Sequence, residues 1–238
     1  MKYIYGPVKS RRLGLSLGIS LTNHKICNFD CIYCQLGKTE ELSWERKAYI
    51  EPSDILDELR SWIQNNPGGP EKLSYITLSG SGEPTLNIKI GEIIKEIRKL
   101  TASPIAVITN SSLLADANIR RQIEDADLIV PSLDSVVPEA FQKIDRPYQN
   151  IQLDKIIEGL IALRKEFKGK IWLEVMLVKG LNDDIRQIKK LKEVIEKINP
   201  DKIQLNSPVR THNPQAVAVD KAKLEKIKEI LGEKTQIV

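Results

Sequence analysis

Apolar runs of strand length alternate along this chain with longer segments in which apolar residues recur at helical spacing. Such alternation is typical of βα units whose strands lie side by side in a parallel sheet. The pattern predicts six strands, at residues 15–21, 75–79, 105–109, 128–132, 171–178 and 202–206. It predicts helices at residues 54–64, 88–100, 116–124, 153–167, 183–198 and 221–231. The fold class that follows is α/β.

Polar residues precede two of these helices and suit the unbonded N–H groups of a first helical turn. Ser53 is expected to cap the helix that begins at residue 54, and Asn182 is expected to cap the helix that begins at residue 183. Pro and Gly at residues 67–70 are expected to end the first helix.

Length and composition favour a single domain covering residues 1–238. With 41% hydrophobic and 29% charged residues, the chain can bury a large aliphatic core. Its first residues lack the pattern of a secretory signal, and no uncharged apolar run reaches membrane-spanning length. We therefore expect a cytoplasmic protein without a membrane partner. The net charge of +4 allows an RNA partner without requiring one.

The three cysteines carry the clearest chemistry in the sequence. Cys27, Cys31 and Cys34 are the only cysteines of the chain and form a C-x3-C-x2-C loop directly after the first predicted strand. This clustering excludes a disulfide framework. Three thiolates at such spacing can hold three corners of an iron–sulfur cube, whereas full ligation of a [4Fe-4S] cluster takes four cysteines, so one iron would stay open.

A second interpretation adds His24 as a fourth ligand. The pattern then becomes H-x2-C-x3-C-x2-C, which could close a Cys3His zinc site in a non-catalytic module that binds protein or RNA. The metal content of anaerobically purified protein distinguishes the two interpretations.

The cysteine loop resembles that of the radical S-adenosylmethionine (SAM) superfamily, whose motif C-x3-C-x-aromatic-C is matched with Tyr33 as the aromatic residue. The resemblance implies a partial (β/α)6 barrel of parallel strands, with a core at about residues 13–206 and an extension at 207–238. It also implies that SAM binds the open iron. One electron would then release a 5′-deoxyadenosyl radical that abstracts hydrogen from a substrate. A reducing partner such as flavodoxin or ferredoxin would supply that electron.

The loops at the carboxyl ends of parallel strands form the active site in this class of fold, so each strand exit is a candidate site. The second strand ends in Gly80, Ser81, Gly82 and Glu83, where the superfamily has Gly-Gly-Glu-Pro. The resemblance implies that this segment contacts the methionine amino group of SAM. Further contacts with SAM are predicted for Tyr33, Thr109, Asn110, Ser132, Asp134 and Glu174.

Ordinary turns, caps or an edge strand would also explain several of these polar residues. Glu174 interrupts an apolar strand and therefore requires a partner, because burying an unpaired carboxylate is costly. Asn206 ends the sixth strand and Arg210 follows it, and both are predicted to contact substrate. The basic run at residues 9–12 is interpreted as a solvated surface.

Three sequence segments resemble the subgroup related to archaeal tRNA wyosine synthases: residues 10–14, 80–86 and 177–183. Residues 1–26 contain no cysteine, so the second cluster of the tRNA-modifying members has no ligands there. A single-cluster enzyme acting on a tRNA base or a small metabolite is therefore expected. An activating enzyme for a glycyl-radical protein is the alternative. The sequence assigns no catalytic residue beyond the cofactor ligands.

Overall fold

The computed structural model describes residues 1–209 and 211–238. Eight strands form one sheet in the order β1-β2-β5-β6-β7-β8-β9-β10, in which every pair is parallel except the antiparallel pair β1 and β2. Two short strands, β3 and β4, pair separately. The strands are β1 (Ile4–Ser10), β2 (Gly14–Ser20), β3 (Ile26–Cys27), β4 (Glu41–Leu42), β5 (Tyr75–Ser79), β6 (Ile105–Thr109), β7 (Leu128–Pro131), β8 (Lys170–Met176), β9 (Lys202–Asn206) and β10 (Thr235–Ile237).

Helices connect the parallel strands and cover the sheet with their apolar faces. In α2, for example, Ile93, Ile94 and Ile97 recur at helical spacing and are fully buried in the main core. The helices are α1 (Pro52–Asn65), α2 (Ile90–Leu100), α3 (Ala117–Gln122), α4 (Pro138–Asp145), α5 (Leu153–Glu166), α6 (Ile185–Ile198) and α7 (Lys221–Leu231). None of the described helices is both long and apolar enough to cross a bilayer.

The sheet curves into an open barrel. The turn between β1 and β2 lies at one edge of the sheet, yet the carbonyl oxygen of Arg12 accepts a hydrogen bond of 3.2 Å from Gln204 Nε2 in β9. A flat sheet would keep these strands far apart. The α/β class and the partial barrel of parallel strands are therefore confirmed, and all six predicted strands are present with ends shifted by at most two residues.

Five elements were missed by the sequence pattern: β1, β3, β4, α4 and β10. β1 contains Gly6 and Pro7 and exposes most of its residues, so it lacks the apolar signal of a buried strand. α4 spans eight residues, which is too short for a clear helical period.

Both predicted helix caps were wrong. α1 begins at Pro52, so Ser53 lies inside its first turn, and Glu51 occupies the cap position without a side-chain hydrogen bond. Asp184 caps α6 by accepting from the backbone N–H groups of Arg186 and Gln187. The Asn182 amide is buried and donates to the carbonyl oxygens of Asp134 and Met176 instead. These buried hydrogen bonds hold the Asn182 side chain away from the cap position of α6.

Candidate functional site

The cysteine loop, residues 27–34, begins at the end of β3 and is held by backbone hydrogen bonds to the end of α4. The backbone N–H groups of Asp30 and Ile32 donate to the carbonyl oxygens of Asp145 and Ile144, at 3.0 and 2.8 Å. On its other side, the Asp30 carboxylate accepts from the backbone N–H of Thr39 at 2.6 Å. These bonds fix the loop between two parts of the chain that are more than a hundred residues apart.

The thiols of Cys27 and Cys31 lie in a partly buried, polar setting. Asn110 Nδ2 lies 3.6 Å from Cys27 Sγ, and Cys31 Sγ lies 3.5 Å from Asp145 Oδ1. Burial raises the pKa of Cys27 to about 12 and raises the pKa of Cys31 well above its ordinary value. Both thiols are therefore protonated in the bare protein, and only a bound cation or cluster would favour their thiolate forms.

His24 does not lie with the thiols. Its Nδ1 is 2.9 Å from Asn23 Oδ1, and its Nε2 is 3.2 Å from Glu41 Oε2. Within residues 1–209 and 211–238, no three His, Cys, Asp or Glu side chains are grouped around a point suited to a single metal ion. The contacts of His24 thus give no support to the Cys3His interpretation.

The glycine turn, residues 80–83, packs on Ile26, the residue directly before the cysteine loop. A Cβ atom on Gly82 would lie 1.7 Å from the carbonyl oxygen of Ile26, and the Glu83 N–H donates to that same oxygen at 3.1 Å. Gly80 has φ +105, which L side chains rarely adopt. Only glycines allow this approach, so the glycine turn forms one wall of a cradle whose other wall is the cysteine loop.

The Glu83 carboxylate ties the glycine turn to the exit of β6. Its Oε1 accepts from Thr85 N, Thr85 Oγ1 and Thr109 Oγ1, at 3.1, 2.6 and 2.7 Å, and its Oε2 accepts from Asn110 N at 2.7 Å. Burial raises the pKa of Glu83, and these hydrogen bonds oppose the rise. Both oxygens are thus already bonded within the protein.

A cavity of about 580 Å³ opens between these two walls, a size within the usual range for small-molecule sites. Nine of the predicted site residues line it: Cys27, Cys31, Gly80, Ser81, Gly82, Glu83, Thr109, Asn110 and Ser132. Cys34 instead lines a second cavity of about 390 Å³, which Cys31 borders as well. The cysteine loop therefore separates two cavities.

The family model of the radical SAM superfamily matches residues 24–191, which include the cysteine loop, the glycine turn and most of the barrel. This chain belongs to the radical SAM superfamily. Its cofactors are a [4Fe-4S] cluster and SAM, as the resemblance implied, and it is an enzyme of that class.

The chain is also similar to several individual proteins. A UPF0026 protein of Methanocaldococcus jannaschii is 38% identical over 240 residues, covering 100% of this chain and 73% of that protein. A protein named GTPase Obg from Brachyspira hyodysenteriae is 41% identical over 228 residues, but this chain spans only 33% of its length. The solved radical SAM methyltransferase from Sphaerobacter thermophilus has a TM-score of 0.71 at 13% identity, covering 94% of this chain and 65% of that chain. That likeness shows the shared fold.

Tyr33 and Asp134 are brought together in this radical SAM enzyme, although 101 residues separate them. The Tyr33 hydroxyl donates to Asp134 Oδ2 at 2.5 Å, and the Met176 N–H donates to Asp134 Oδ1 at 2.8 Å. Burial raises the pKa of Asp134 to about 6 and that of neighbouring Asp145 well above its ordinary value. Sequence analysis missed Asp145 because it missed α4.

Glu174 does find a partner, and that partner is Arg12. Arg12 Nη1 forms an ion pair with Glu174 Oε2, and Asn206 Nδ2 lies 3.4 Å from Glu174 Oε1. The basic run at residues 9–12 was thus interpreted incorrectly at Arg12, which lines the large cavity, whereas Arg11 is exposed. Spacing in the sequence offers no signal for this pair, because 162 residues separate its members. Arg210 lies outside the described residues.

Proposed function

We propose that Cys27, Cys31 and Cys34 hold the [4Fe-4S] cluster and that the 580 Å³ cavity takes SAM. The observation that carries the proposal is that two of these thiols and the whole glycine turn line one cavity. Three thiols and no nearby histidine match a cluster with an open iron better than a closed zinc site. When bound, the cluster supplies the electron that cleaves SAM and starts hydrogen abstraction.

Within this site, the chain's own residues bind and orient SAM. Gly80, Ser81 and Gly82 line the cavity with their backbone groups, and Asn110 and Ser132 add polar side chains. Glycine is needed at positions 80 and 82 because a Cβ there would collide with Ser20 and Ile26. Glu83 and Thr109 hold the two strand exits in register, because their side chains are bonded to each other. Their effect on SAM therefore acts through the position of the glycine turn as well as through direct contact.

For Tyr33, Asp134 and Glu174, contact with SAM stays a prediction. Their polar atoms bond within the protein, and none of the three lines the large cavity. Through these bonds, Tyr33 and Asp134 join the cysteine loop to the ends of β7 and β8, and Glu174 joins β8 to the N-terminal turn at Arg12. Asn206 contacts Glu174 from β9 and stays a predicted substrate residue.

The substrate that we propose is a tRNA base or a small metabolite. Support comes from the three segments that resemble the wyosine-synthase subgroup. The three cysteines suffice for one cluster, so the reaction that we propose uses a single cluster. A glycyl-radical activating enzyme is the second candidate, since such enzymes also need one cluster. We propose that residues 1–238 act as one domain in the cytoplasm, with flavodoxin or ferredoxin as reductant.

Anaerobic purification tests the assignment. We expect brown protein with about four irons per chain, and 5′-deoxyadenosine when dithionite and SAM are added. Cys31→Ala should lose both cluster and product, whereas His24→Ala should keep both. Colourless protein with one zinc, or a Cys31→Ala variant that still cleaves SAM, would refute the proposal.

A further inference from the structure

Arg12 is the one cationic side chain among the described residues that line the 580 Å³ cavity. We propose that Arg12 is an anion-binding residue of the substrate site, which takes a carboxylate or phosphate group of the substrate. This inference rests on the proposed function, because it concerns the substrate of the same cavity.

The backbone of Arg12 is fixed on both sides. Ser10 Oγ accepts from the N–H groups of Arg12 and Leu13, both at 3.2 Å, and the Arg12 carbonyl oxygen accepts from Gln204 Nε2 at 3.2 Å. Leu13 is buried in the core beside this turn. The guanidinium is therefore presented to the cavity from a rigid turn, which lowers the entropic cost of binding a ligand.

The ion pair with Glu174 leaves donors of Arg12 available. A guanidinium carries five N–H groups, and among the contacts of the described residues only Nη1 is bonded, to Glu174. The Arg12 side chain is 29% exposed, and that exposure faces the cavity, whereas the Glu174 side chain is 9% exposed. The planar guanidinium matches the paired oxygens of carboxylates and phosphates.

Arg12 enters the barrel at the end opposite to the cysteine loop. Ser10 pairs with Gly14 at the start of β2, while the loop follows the far end of β2. Glu174 lies in β8, three strands away in the sheet from β5 and its glycine turn. Glu174 is also bridged to Ser132, which lines the cavity. An anion on Arg12 thus enters the cavity from the end of the barrel opposite to the cysteine loop, beside Ser132.

Tyr5 borders the cavity beside the glycine turn, at the end of the N-terminal hairpin opposite to Arg12. Its ring lies over Gly18, where a Cβ would be 2.1 Å from Tyr5 Cζ, and its hydroxyl is 2.6 Å from Ser79 Oγ. Tyr5 and Arg12 both precede the family match, which begins at residue 24. The N-terminal hairpin, residues 4–20, therefore adds polar groups to the cavity that the matched part of the superfamily fold does not supply.

The first test labels arginines in the cluster-loaded enzyme with phenylglyoxal and reads each site by peptide mass spectrometry. Inorganic phosphate or acetate should slow labelling of Arg12 in a saturable way and leave neighbouring Arg11 unaffected. The anion that protects at the lower concentration identifies the source as phosphate or carboxylate. Equal effects on both arginines, or protection that never saturates, would overturn the proposal.

The second test uses matched variants. Fractions of cell extract that an anion exchanger retains should stimulate formation of 5′-deoxyadenosine, and Arg12→Gln should lower that stimulation about tenfold or more. Arg11→Gln removes the same charge and should respond as the wild type does. Arg12→Lys keeps the charge but loses the planar fork, so intermediate stimulation is expected.

Two outcomes separate failure of this inference from failure of the proposed function. If Arg12→Gln weakens equilibrium binding of SAM as strongly as it lowers stimulation, Arg12 serves SAM and the substrate assignment is wrong. If the wild type forms no 5′-deoxyadenosine at all, the proposed function fails. The labelling test then still decides whether Arg12 binds an anion.

Discussion

The two regions that enclose the cavity use a buried carboxylate in different ways. In the glycine turn, Glu83 is held by four neutral donors, all within 27 residues of it in sequence. On the opposite side, Glu174 is held by the cationic Arg12 of the N-terminal hairpin, 162 residues away. The first arrangement is local and neutral, whereas the second depends on the closure of the whole barrel. The glycine turn can therefore form with β5 and β6, but the ion pair requires the complete sheet.

The glycines of the two regions also differ in what they face. Gly82 faces the backbone of Ile26, directly before the cysteine loop, and Ile26 cannot move without breaking its pairing with β4. Gly18 faces the ring of Tyr5, a side chain that is 42% exposed and can turn away. The neighbour of Gly82 is thus rigid, and the neighbour of Gly18 is adjustable.

The largest expected effect comes from Gly82→Ala. The new methyl group would force Ile26 and the cysteine loop to shift, and we expect a loss of about 3 to 4 kcal/mol in the free energy of unfolding. Gly18→Ala is the matched control and should cost about 1 kcal/mol, through loss of the hydrogen bond between Tyr5 and Ser79. Urea denaturation measures both. Equal losses would contradict the contrast between a rigid backbone neighbour and an adjustable side chain.

The next effect is that of Glu83→Ala. The substitution leaves the N–H groups of Thr85 and Asn110 without acceptors, and we expect a loss of about 3 kcal/mol, since the two threonine hydroxyls can turn to other partners. Equilibrium dialysis should also show weaker binding of SAM to the variant with its cluster retained. Glu83→Gln keeps one acceptor oxygen and should lie between the two proteins. Unchanged affinity in both variants would remove Glu83 from the SAM site.

A smaller effect is expected for Arg12→Met. Removing one member of a fully buried ion pair costs about 3 to 5 kcal/mol, but the part of Arg12 that is exposed reduces this to about 2 kcal/mol. The double variant Arg12→Met/Glu174→Leu should recover part of the loss, because no buried charge is left alone. A double-mutant cycle from urea titrations measures the coupling. Strict additivity would show that the two sides of the barrel are not linked by this pair.

The smallest effect concerns the start of the N-terminal hairpin. Glu58 in α1 accepts from the N–H groups of Lys2, Tyr3 and Ile4. Burial pushes the pKa of Glu58 up, but these hydrogen bonds outweigh it and hold the pKa below its ordinary value of 4.5. The stabilisation is therefore present above pH 4.5 and is lost as pH falls through the lowered pKa.

Hydrogen exchange measures this dependence on pH. The amides of residues 2–4 should lose protection in acid in the wild type, before the amides of β5 do. Glu58→Gln should show weaker protection of these amides at neutral pH and little further change on acidification. Acid fraying of the same size in Glu58→Gln would assign it to another group.

Most of the fold could be predicted from the sequence because its signals are local. Apolar periodicity located the six parallel strands and the longer helices, and the spacing of Cys27, Cys31 and Cys34 pointed to the cofactor chemistry that the family match confirms. The elements that were missed are short or exposed, as in α4 and β1, and such segments carry little periodic signal. The cap of α6 was missed because neighbouring polar residues compete for one position, and Asp184 takes it instead of Asn182. The cap of α1 was missed because the helix already begins at Pro52.

Side-chain partners across the barrel depended on the tertiary structure alone. The sequence determined that Glu174 needs a partner and that the cysteines lie in one loop. Only the curvature of the sheet decided that Arg12 is that partner. Only the packing of α4 decided that Asp145 lies beside Cys31. The physical reason is distance along the chain: a contact between residues more than a hundred positions apart forms only when strand pairing and helix packing bring them together, and no local pattern records it.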